Sequence, residues 1–333
     1  MSEEGNEGGV RARWAQIADR LLADIAEGRP PWVRPWSLSG KSAALPVSGS
    51  SGKSYRGVNV FLLWLASRDH GWFDARFYTF QQALKAGTPV RKGEKGTEVF
   101  FYSPMVKLPK PMAGKLWWSQ GHPKLKAAYP DRLPDDTEVV PMLKSFSVFN
   151  AAQLEGMAVD TEPVAVDERC AAAERLASTL AVSVPVRIGG DRAAYSSMAD
   201  AIVMPERTQF VSDDDWYSTL FHECCHASGH VSRLGRPLGN VFGSEEYAFE
   251  ELIAESGSAF VLASVGLPYQ AQHADYLASW AKKFAELPAA ERQRKLMSAF
   301  TAGQKAADCV LAGLPSRPDA GTNAVGVELD LAA

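Results

Sequence analysis

The chain has 333 residues, 46% apolar and 22% charged, with a net charge of −4, the composition of an ordinary soluble globular protein. No apolar run is long enough for a membrane span, and the acidic first residues lack the apolar core of a secretion signal. The four cysteines include the adjacent pair Cys224 and Cys225, which argues against a disulfide scaffold. We therefore expect a cytoplasmic protein without a membrane partner, and the length suggests two domains.

The two halves differ in charge and in aromatic content. Residues 1–150 contain 21 Lys and Arg against 14 Asp and Glu, a net charge of +7, whereas the remainder contains 14 against 25, a net charge of −11. Seven of the nine tryptophans also lie in the first 150 residues. We predict domains at 10–156 and 164–312, and we expect the first to fold alone. The segment 313–333 is predicted to be a mobile tail.

The basic half shows patterns typical of three helices and two strands. We predict the helices at 12–27, 58–70 and 79–87, and the strands at 96–102 and 144–149. The insert between these strands, 103–143, is too long for a hairpin loop and is expected to be a functional or partly mobile excursion. The predicted fold of this domain is α+β, a small antiparallel sheet with helices.

Two basic segments of this half are candidates for binding nucleic acid. They are a glycine-bounded loop with Lys53, Tyr55 and Arg56, and a turn before an aromatic strand with Arg91, Lys92 and Lys95. Proteins bind single strands with cationic grooves and aromatic platforms on which bases stack. The alternative is that these are ordinary solvated turns and that the aromatic residues belong to the core.

The acidic half contains the sequence His-Glu-Cys-Cys-His. His222 and His226 are four residues apart, so on a helix both imidazoles lie on one face and can bind one metal ion. Glu223 lies beside that face, where it can act as the general base of a metal-dependent hydrolase. Ser212 and three following aspartates predict the start of this helix, and Gly229 predicts its end.

A catalytic zinc site has three protein ligands and one open position. His230 lies one turn beyond His226, which on a continuing helix is roughly 6 Å along the axis and too far to complete the site. Ser232 occupies the position where one zincin class has its third histidine. Cys224 and Cys225 do not project onto the shared face. The third ligand is therefore expected further along the chain.

Residues 244–255 begin with a capping serine and predict a second helix, on which Glu251 and Glu255 share a face. This helix resembles the second helix of the gluzincins, whose Glu-x-x-x-Asp/Glu pattern supplies the third ligand and then an acid that orients a ligand histidine. The resemblance implies that Glu251 binds the metal and that Glu255 accepts a hydrogen bond from His222. Glu250 and Glu255 are the alternatives in another register, and a solvated acidic face is the alternative to any ligand role.

Residues 194–196 and 201–205 flank a turn and predict a hairpin just before the motif helix. In zincins an edge strand beside the metal pairs with the substrate backbone. We expect the second domain to be α+β as well, with a mixed sheet packed on the motif helix and helices to about residue 312.

Four ordered motifs together resemble one family. They are SYRGVN at 54–59, VRKGEKGT at 90–97, FNAAQLEG at 149–156 and the later HECCH. The chain is similar to the ArdC antirestriction proteins of conjugative plasmids, and its first half is also similar to the DNA-binding part of plasmid-encoded primases. The resemblance implies a single-stranded-DNA-binding domain, a zincin-like metallopeptidase domain, and protection of transferred DNA from host restriction. The metal motif itself favours zinc, with manganese as the alternative.

Other functions remain open at this point. One is a DNA-binding interaction protein whose metal is only structural, which a fourth protein ligand would favour. Another is a soluble metallopeptidase whose basic half recognises acidic proteins. If a peptide substrate exists, a component of the host restriction system is one candidate.

Overall fold

The computed structural model describes residues 3–30, 32, 44–119, 122–159, 166–238, 244–269, 281 and 284–314. The helices are α1 (Glu3–Ala26), α2 (Val58–His70), α3 (Phe80–Lys85), α4 (Pro123–Ala128), α5 (Val166–Ser183), α6 (Asp213–Ala227), α7 (Glu245–Val265) and α8 (Ala289–Leu311). The strands are β1 (Val47–Ser48), β2 (Arg76–Thr79), β3 (Thr97–Met112), β4 (Lys115–Ser119), β5 (Glu138–Asn150), β6 (Val186–Ile188), β7 (Ala194–Ser196) and β8 (Ala201–Met204). The predicted α+β class is confirmed. The predicted tail lies outside the described residues from position 315 onward.

The first half is built on a five-stranded sheet of order β1-β2-β5-β3-β4. Its strand pairs are antiparallel except for β1 with β2, so the predicted antiparallel sheet has one parallel edge. Helix α2 packs on this sheet, where Leu63 contacts Phe77, Val99 and Val148. Helix α1 contributes Trp14, whose ring meets that of Phe100 with centroids 5.8 Å apart.

The insert 103–143 is largely a continuation of the sheet, which corrects the expectation of an excursion between two short strands. β3 pairs with β5 continuously from Thr97 opposite Val148 to Lys107 opposite Glu138, and β4 then returns along β3. The prolines in this segment argue against strands in the sequence, because a proline has no backbone N–H to donate to a neighbouring strand. Pro104 stands opposite Pro141 in the register, so the two missing donors face each other at one position of the ladder.

The extension formed by β4, α4 and the distal parts of β3 and β5 has a small core of its own. Val106, Leu108, Trp118 and Leu125 are at most 6% exposed and pack together. This extension, which we call the arm, is therefore a packed part of the fold.

The second half contains a three-stranded sheet of order β6-β8-β7, with β6 parallel and β7 antiparallel to β8. β7 and β8 form the predicted hairpin, and α6 packs beside both strands. Helices α7 and α8 follow and pack on each other and on α6. The predicted mixed sheet with later helices is confirmed, and β7 is an edge strand next to the motif helix. No helix among the described residues is both long and apolar enough to cross a bilayer.

A single aromatic core joins the two halves. Phe61 of α2 stacks on Phe260 of α7 with ring centroids 4.8 Å apart and meets Phe300 of α8 at 4.4 Å. Trp32 contacts the rings of Phe300 and Tyr269 at 6.2 Å and 6.4 Å. An isolated first half would expose these buried rings, which argues against the expectation that the first half folds alone.

Polar contacts cross the same boundary. Arg56 forms an ion pair with Asp308 of α8, and the backbone N–H of Gly57 donates to the Gln304 side chain at 2.9 Å. The loop that begins α2 is therefore bonded directly to α8.

We predict that Phe61→Ala destabilises the whole chain by about 3–5 kcal/mol, because it removes a fully buried ring and leaves a cavity. Phe80→Ala is the matched control, since that ring is 53% exposed and its loss costs roughly 0.5 kcal/mol or less. Denaturant unfolding, monitored separately by fluorescence and by circular dichroism, measures both variants. The shared core predicts one common transition. Native-like stability of a purified 10–156 fragment would contradict it.

Candidate metal centre

Helix α6 begins where the sequence predicts. The Ser212 side chain accepts a hydrogen bond from the N–H of Asp215 at 3.2 Å, and the first turn carries three aspartates that favour a helix N-terminus. Trp216 and Phe221 are buried and hold the helix against its neighbours. The helix ends at Ala227, two residues before the predicted Gly229.

The two motif histidines and Glu251 meet in the interior. The Nε2 atoms of His222 and His226 are 3.1 Å apart. Glu251 places Oε2 3.5 Å from Nε2 of His222 and Oε1 3.6 Å from Nε2 of His226. All three donors lie within 4.8 Å of one another. Two imidazoles and one carboxylate form a donor set that suits zinc and also manganese.

The other ring nitrogens contact carboxylates. His226 Nδ1 lies 3.1 Å from Glu250 Oε1, and His222 Nδ1 lies 3.7 Å from Glu255 Oε1. Arg236 donates to both oxygens of Glu250, at 2.9 Å and 2.8 Å. Such outer contacts fix the tautomer and orientation of a ligand histidine.

Glu250, which the sequence left open as an alternative metal ligand, is therefore not one of the three donors. It lies behind His226, while Glu251 faces both Nε2 atoms. No pattern in the sequence predicted this contact, the role of Arg236, or the Tyr269 hydroxyl that donates to Glu255. Glu250 differs from Glu251 by one helical position, and only the packing of α7 decides which of them faces the histidines.

The site is strongly polarised. Burial alone would lower the pKa of His226, but the hydrogen bond with Glu250 and the nearby Glu251 and Glu223 carboxylates raise it to about 9. Burial alone would also lower the pKa of His222. The nearby carboxylates of Glu255 and Glu251 outweigh this effect, so the pKa of His222 is raised. Burial would raise the pKa of Glu251, yet the histidines lower it to about 2. The pocket therefore favours positive charge between its carboxylates.

Glu223 faces a cavity of about 310 Å³ that contacts all three donors. Its Oε2 accepts a hydrogen bond from the backbone N–H of Tyr195 at 2.7 Å, so the edge strand β7 is bonded to the motif helix. The cavity is also lined by Ala194, Leu238 and Tyr247. An open space beside three donors is the arrangement of catalytic metal sites, whereas structural sites are closed.

The rejected ligand candidates lie elsewhere. His230 Nδ1 is 2.7 Å from Ser232 Oγ and 3.7 Å from Asp200 Oδ2. Cys224 and Cys225 are fully buried free thiols, and burial raises the pKa of both. Of the described residues, only the two motif histidines and Glu251 form a cluster suited to a metal ion.

In the first candidate DNA loop, the three residues have different surroundings. Lys53 is exposed. Tyr55 is half-buried, its ring meets the edge of Phe77 at 6.3 Å, and burial raises its pKa to about 12. Arg56 is exposed but pairs with Asp308. Tyr55 therefore packs on the core, with only part of its side chain exposed.

In the second candidate segment, Arg91 holds the turn together. It donates to Glu94 at 2.8 Å and to the carbonyl oxygen of Ala152 at 2.6 Å. Lys92 and Lys95 are exposed, and neither ammonium group has an ion-pair partner among the described residues. Only these two lysines of the turn are available to phosphates without breaking a contact.

We predict that His222→Ala, His226→Ala and Glu251→Ala each lower metal content and thermal stability together, because metal bound at a folded site adds to folding free energy. Glu223→Gln is the matched control and retains the metal. Elemental analysis and melting curves of the purified variants measure both quantities. Full metal content in Glu251→Ala together with loss in Glu250→Ala would show that the ligand is misassigned.

We further predict opposite pH responses of the metal-free and metal-loaded protein. The pKa of His226 is raised from 6.5 to about 9, so its protonation stabilises the metal-free fold fully below about pH 6.5 and progressively less up to about pH 9. A metal ion competes with these protons, so metal affinity rises over the same interval. Melting temperatures from pH 6 to 9, with chelator or excess metal, test this. A metal-free melting temperature that rises with pH would contradict it.

Comparisons with known proteins agree with this architecture. The family described as the N-terminal domain of the anti-restriction factor ArdC matches residues 13–149, and the zincin-like metallopeptidase family matches residues 171–291. Two proteins named DNA primase TraC from Escherichia coli are 35% identical over 277 residues and 34% identical over 304 residues. These matches cover 82% and 89% of this chain, which spans only 18% and 27% of the primases.

Two further comparisons extend over nearly whole proteins. The uncharacterised protein y4eC of Sinorhizobium fredii is 32% identical over 298 residues, 89% of this chain and 90% of that protein. The crystal structure of metal-free antirestriction protein ArdC from plasmid R388 has a TM-score of 0.67 and 31% identity, and covers 90% of this chain and 97% of its own. The Mn(II)-bound structure of the same protein has a TM-score of 0.65. This chain therefore belongs to the ArdC antirestriction protein family, with an ArdC-type N-terminal domain followed by a zincin-like metallopeptidase domain.

Proposed function

We propose that this protein binds single-stranded DNA during plasmid conjugation, protects it from host restriction, and carries a metal-dependent peptidase. The observation that carries the peptidase assignment is the cluster of His222, His226 and Glu251 beside an open cavity that also contains Glu223. The ArdC-type first half supports the antirestriction role. Both activities belong to the cytoplasm, where transferred DNA and restriction enzymes meet.

In this proposal His222, His226 and Glu251 hold a zinc or manganese ion. When bound, such an ion is a Lewis acid that polarises a carbonyl and lowers the pKa of water. Glu223 is not a ligand and serves as the general base, which accepts the proton of the attacking water and passes it to the leaving nitrogen. The Tyr195 N–H orients this carboxylate.

The substrate peptide would lie along β7. This strand is at the edge of its sheet, and Ala194 and Tyr195 line the cavity. An extended peptide can add to such an edge through backbone hydrogen bonds. Glu250 and Glu255 keep the histidines oriented and add negative charge that favours a divalent cation.

The DNA-binding proposal depends on charge. The first 150 residues have a net charge of +7, and Lys53, Lys92 and Lys95 are exposed there. Neutralisation of phosphates by these cations supplies affinity that falls with salt. Arg56 can bind a phosphate only if it gives up its ion pair with Asp308. Tyr55 contributes to DNA binding only indirectly, by packing the loop against the core.

The open cavity favours a catalytic metal over a structural one, because a structural site would have a fourth protein ligand. The remaining alternative is a peptidase whose basic half recognises acidic proteins. Competition by an acidic polypeptide against a labelled oligonucleotide separates these two partners.

We predict tighter binding of a single-stranded oligonucleotide than of the corresponding duplex, with affinity falling steeply as salt rises. Fluorescence anisotropy across a salt series measures both forms. Lys92→Ala and Lys95→Ala should weaken binding and flatten the salt dependence, whereas Glu223→Gln serves as the control that leaves DNA binding intact. Equal affinity for both forms at moderate salt would remove the single-strand proposal.

The same Glu223→Gln protein tests the peptidase. It should keep its metal and its fold but lose cleavage of denatured protein substrates. Cleavage that persists in this variant would rule out Glu223 as the base.

A further inference from the structure

One face of the arm presents aromatic rings and cations side by side. We call this set, Phe101, Lys107, Trp117, Lys144 and Phe146, the arm face. Phe101 stands opposite Lys144 in the β3–β5 register, and Lys107 stands opposite Trp117 in the β3–β4 register. Directly paired residues and residues two apart on a strand point to the same side of a sheet. All five side chains therefore emerge from one face.

The rings are arranged for stacking. Those of Phe101 and Phe146 are parallel within 3° and have centroids 4.7 Å apart, and Phe146 is 37% exposed. The Lys107 ammonium lies 5.5 Å from the centroid of Trp117. The stretch from Phe101 to Lys107 spans roughly 20 Å along β3, so the two groups of rings can serve different nucleotides of one strand.

The other face of the arm carries its small core. Val106 is paired with Trp118 in the β3–β4 register, and both pack with Leu108 and Leu125 of α4. This core packs behind the strands and supports the rings and cations of the arm face. Preorganisation of binding groups lowers the entropic cost of binding.

The charge of the arm is suited to a polyanion. Residues 103–143 contain six Lys and Arg against four Asp and Glu, a net charge of +2. Lys107 does approach Glu138, at 3.5 Å, but their side chains are 44% and 57% exposed, and such surface pairs are weak. A phosphate can therefore replace Glu138 without a large penalty.

We propose that the arm face is the base-stacking platform for single-stranded DNA, an inference that rests on the proposed DNA binding and assigns its site. Bases stack on Phe146 and Trp117, while Lys107 and Lys144 neutralise adjacent phosphates. A sheet face with partly exposed rings can engage unpaired bases, whose faces are hidden in a duplex. Recognition is tolerant of sequence, because every base has a π-face.

The test uses the full chain and a short labelled oligothymidylate. Phe146→Ala and Trp117→Ala should each weaken binding roughly 5- to 150-fold, the equivalent of losing one stacked base, with the salt dependence unchanged. Lys107→Ala and Lys144→Ala should each reduce the slope of log affinity against log salt by about 0.7. Phe146→Leu keeps an apolar side chain without the ring, so it separates loss of stacking from loss of folding, and it too should weaken binding.

Two controls match these variants. Leu116→Ala removes a 40% exposed apolar side chain from the same strand as Trp117 but from its opposite face. Phe80→Ala removes a 53% exposed ring that begins α3 and meets Phe149, outside the arm face. Neither should change affinity by more than about twofold, the margin within which a surface substitution away from the binding site falls.

The outcomes separate the inference from the proposed function. If the wild-type chain binds the oligonucleotide while all arm-face variants bind equally well, the platform lies elsewhere and the proposed DNA binding stands. Loss of binding only in Phe80→Ala would show that the bases stack at α3 and not on the arm face. A wild-type chain with no salt-dependent affinity for single strands would overturn both.

Discussion

The packing of α7 is the constraint on which the rest of the structure depends. It is buried along nearly its whole length, so its rotation is set from several sides at once. Gly257 and Gly303 permit close approach to α6 and α8. A Cβ atom at Gly257 would lie 3.0 Å from the Cys225 sulfur, and one at Gly303 would lie 2.1 Å from Ser256 Oγ. A larger residue at either position would push the helices apart and move the acids that α7 supplies to the metal centre.

The same helix also connects the metal centre with the first half of the chain. Toward its N-terminal end it places Glu251 and Glu255 beside the histidines, and further along it places Phe260 against Phe61. Just after it, Tyr269 donates to Glu255 and touches Trp32. A continuous set of packed and hydrogen-bonded groups therefore runs from the first half to a candidate metal ligand. Contact of this kind is a physical route for coupling, and coupling itself is a free energy to be measured between two bound ligands.

The metal centre is stable as a set of opposite charges. Acids that would be costly to bury alone are balanced by histidines and by Arg236, which contacts Glu250. A proton on His226 and a bound metal ion each add positive charge next to the same carboxylates, and each thereby stabilises them in the buried site. This is why a proton and a metal are expected to compete there, and why loss of one ligand should disturb folding as well as binding.

The sequence by itself determined the local features of this protein. The spacing of His222 and His226 places two imidazoles on one helical face, Ser212 begins that helix, and the hairpin before it follows from alternating residues; all depend on neighbours in the chain. The family resemblance added Glu251. Tertiary structure alone decided that Glu250 turns behind His226, because one helical position separates it from Glu251 and only packing fixes the rotation of α7. It also decided that Tyr55 packs on the core, that the proline-rich insert continues the sheet, and that both halves share a core. Each of these depends on partners far away in sequence, and periodicity carries no information about which distant surface a buried face will meet.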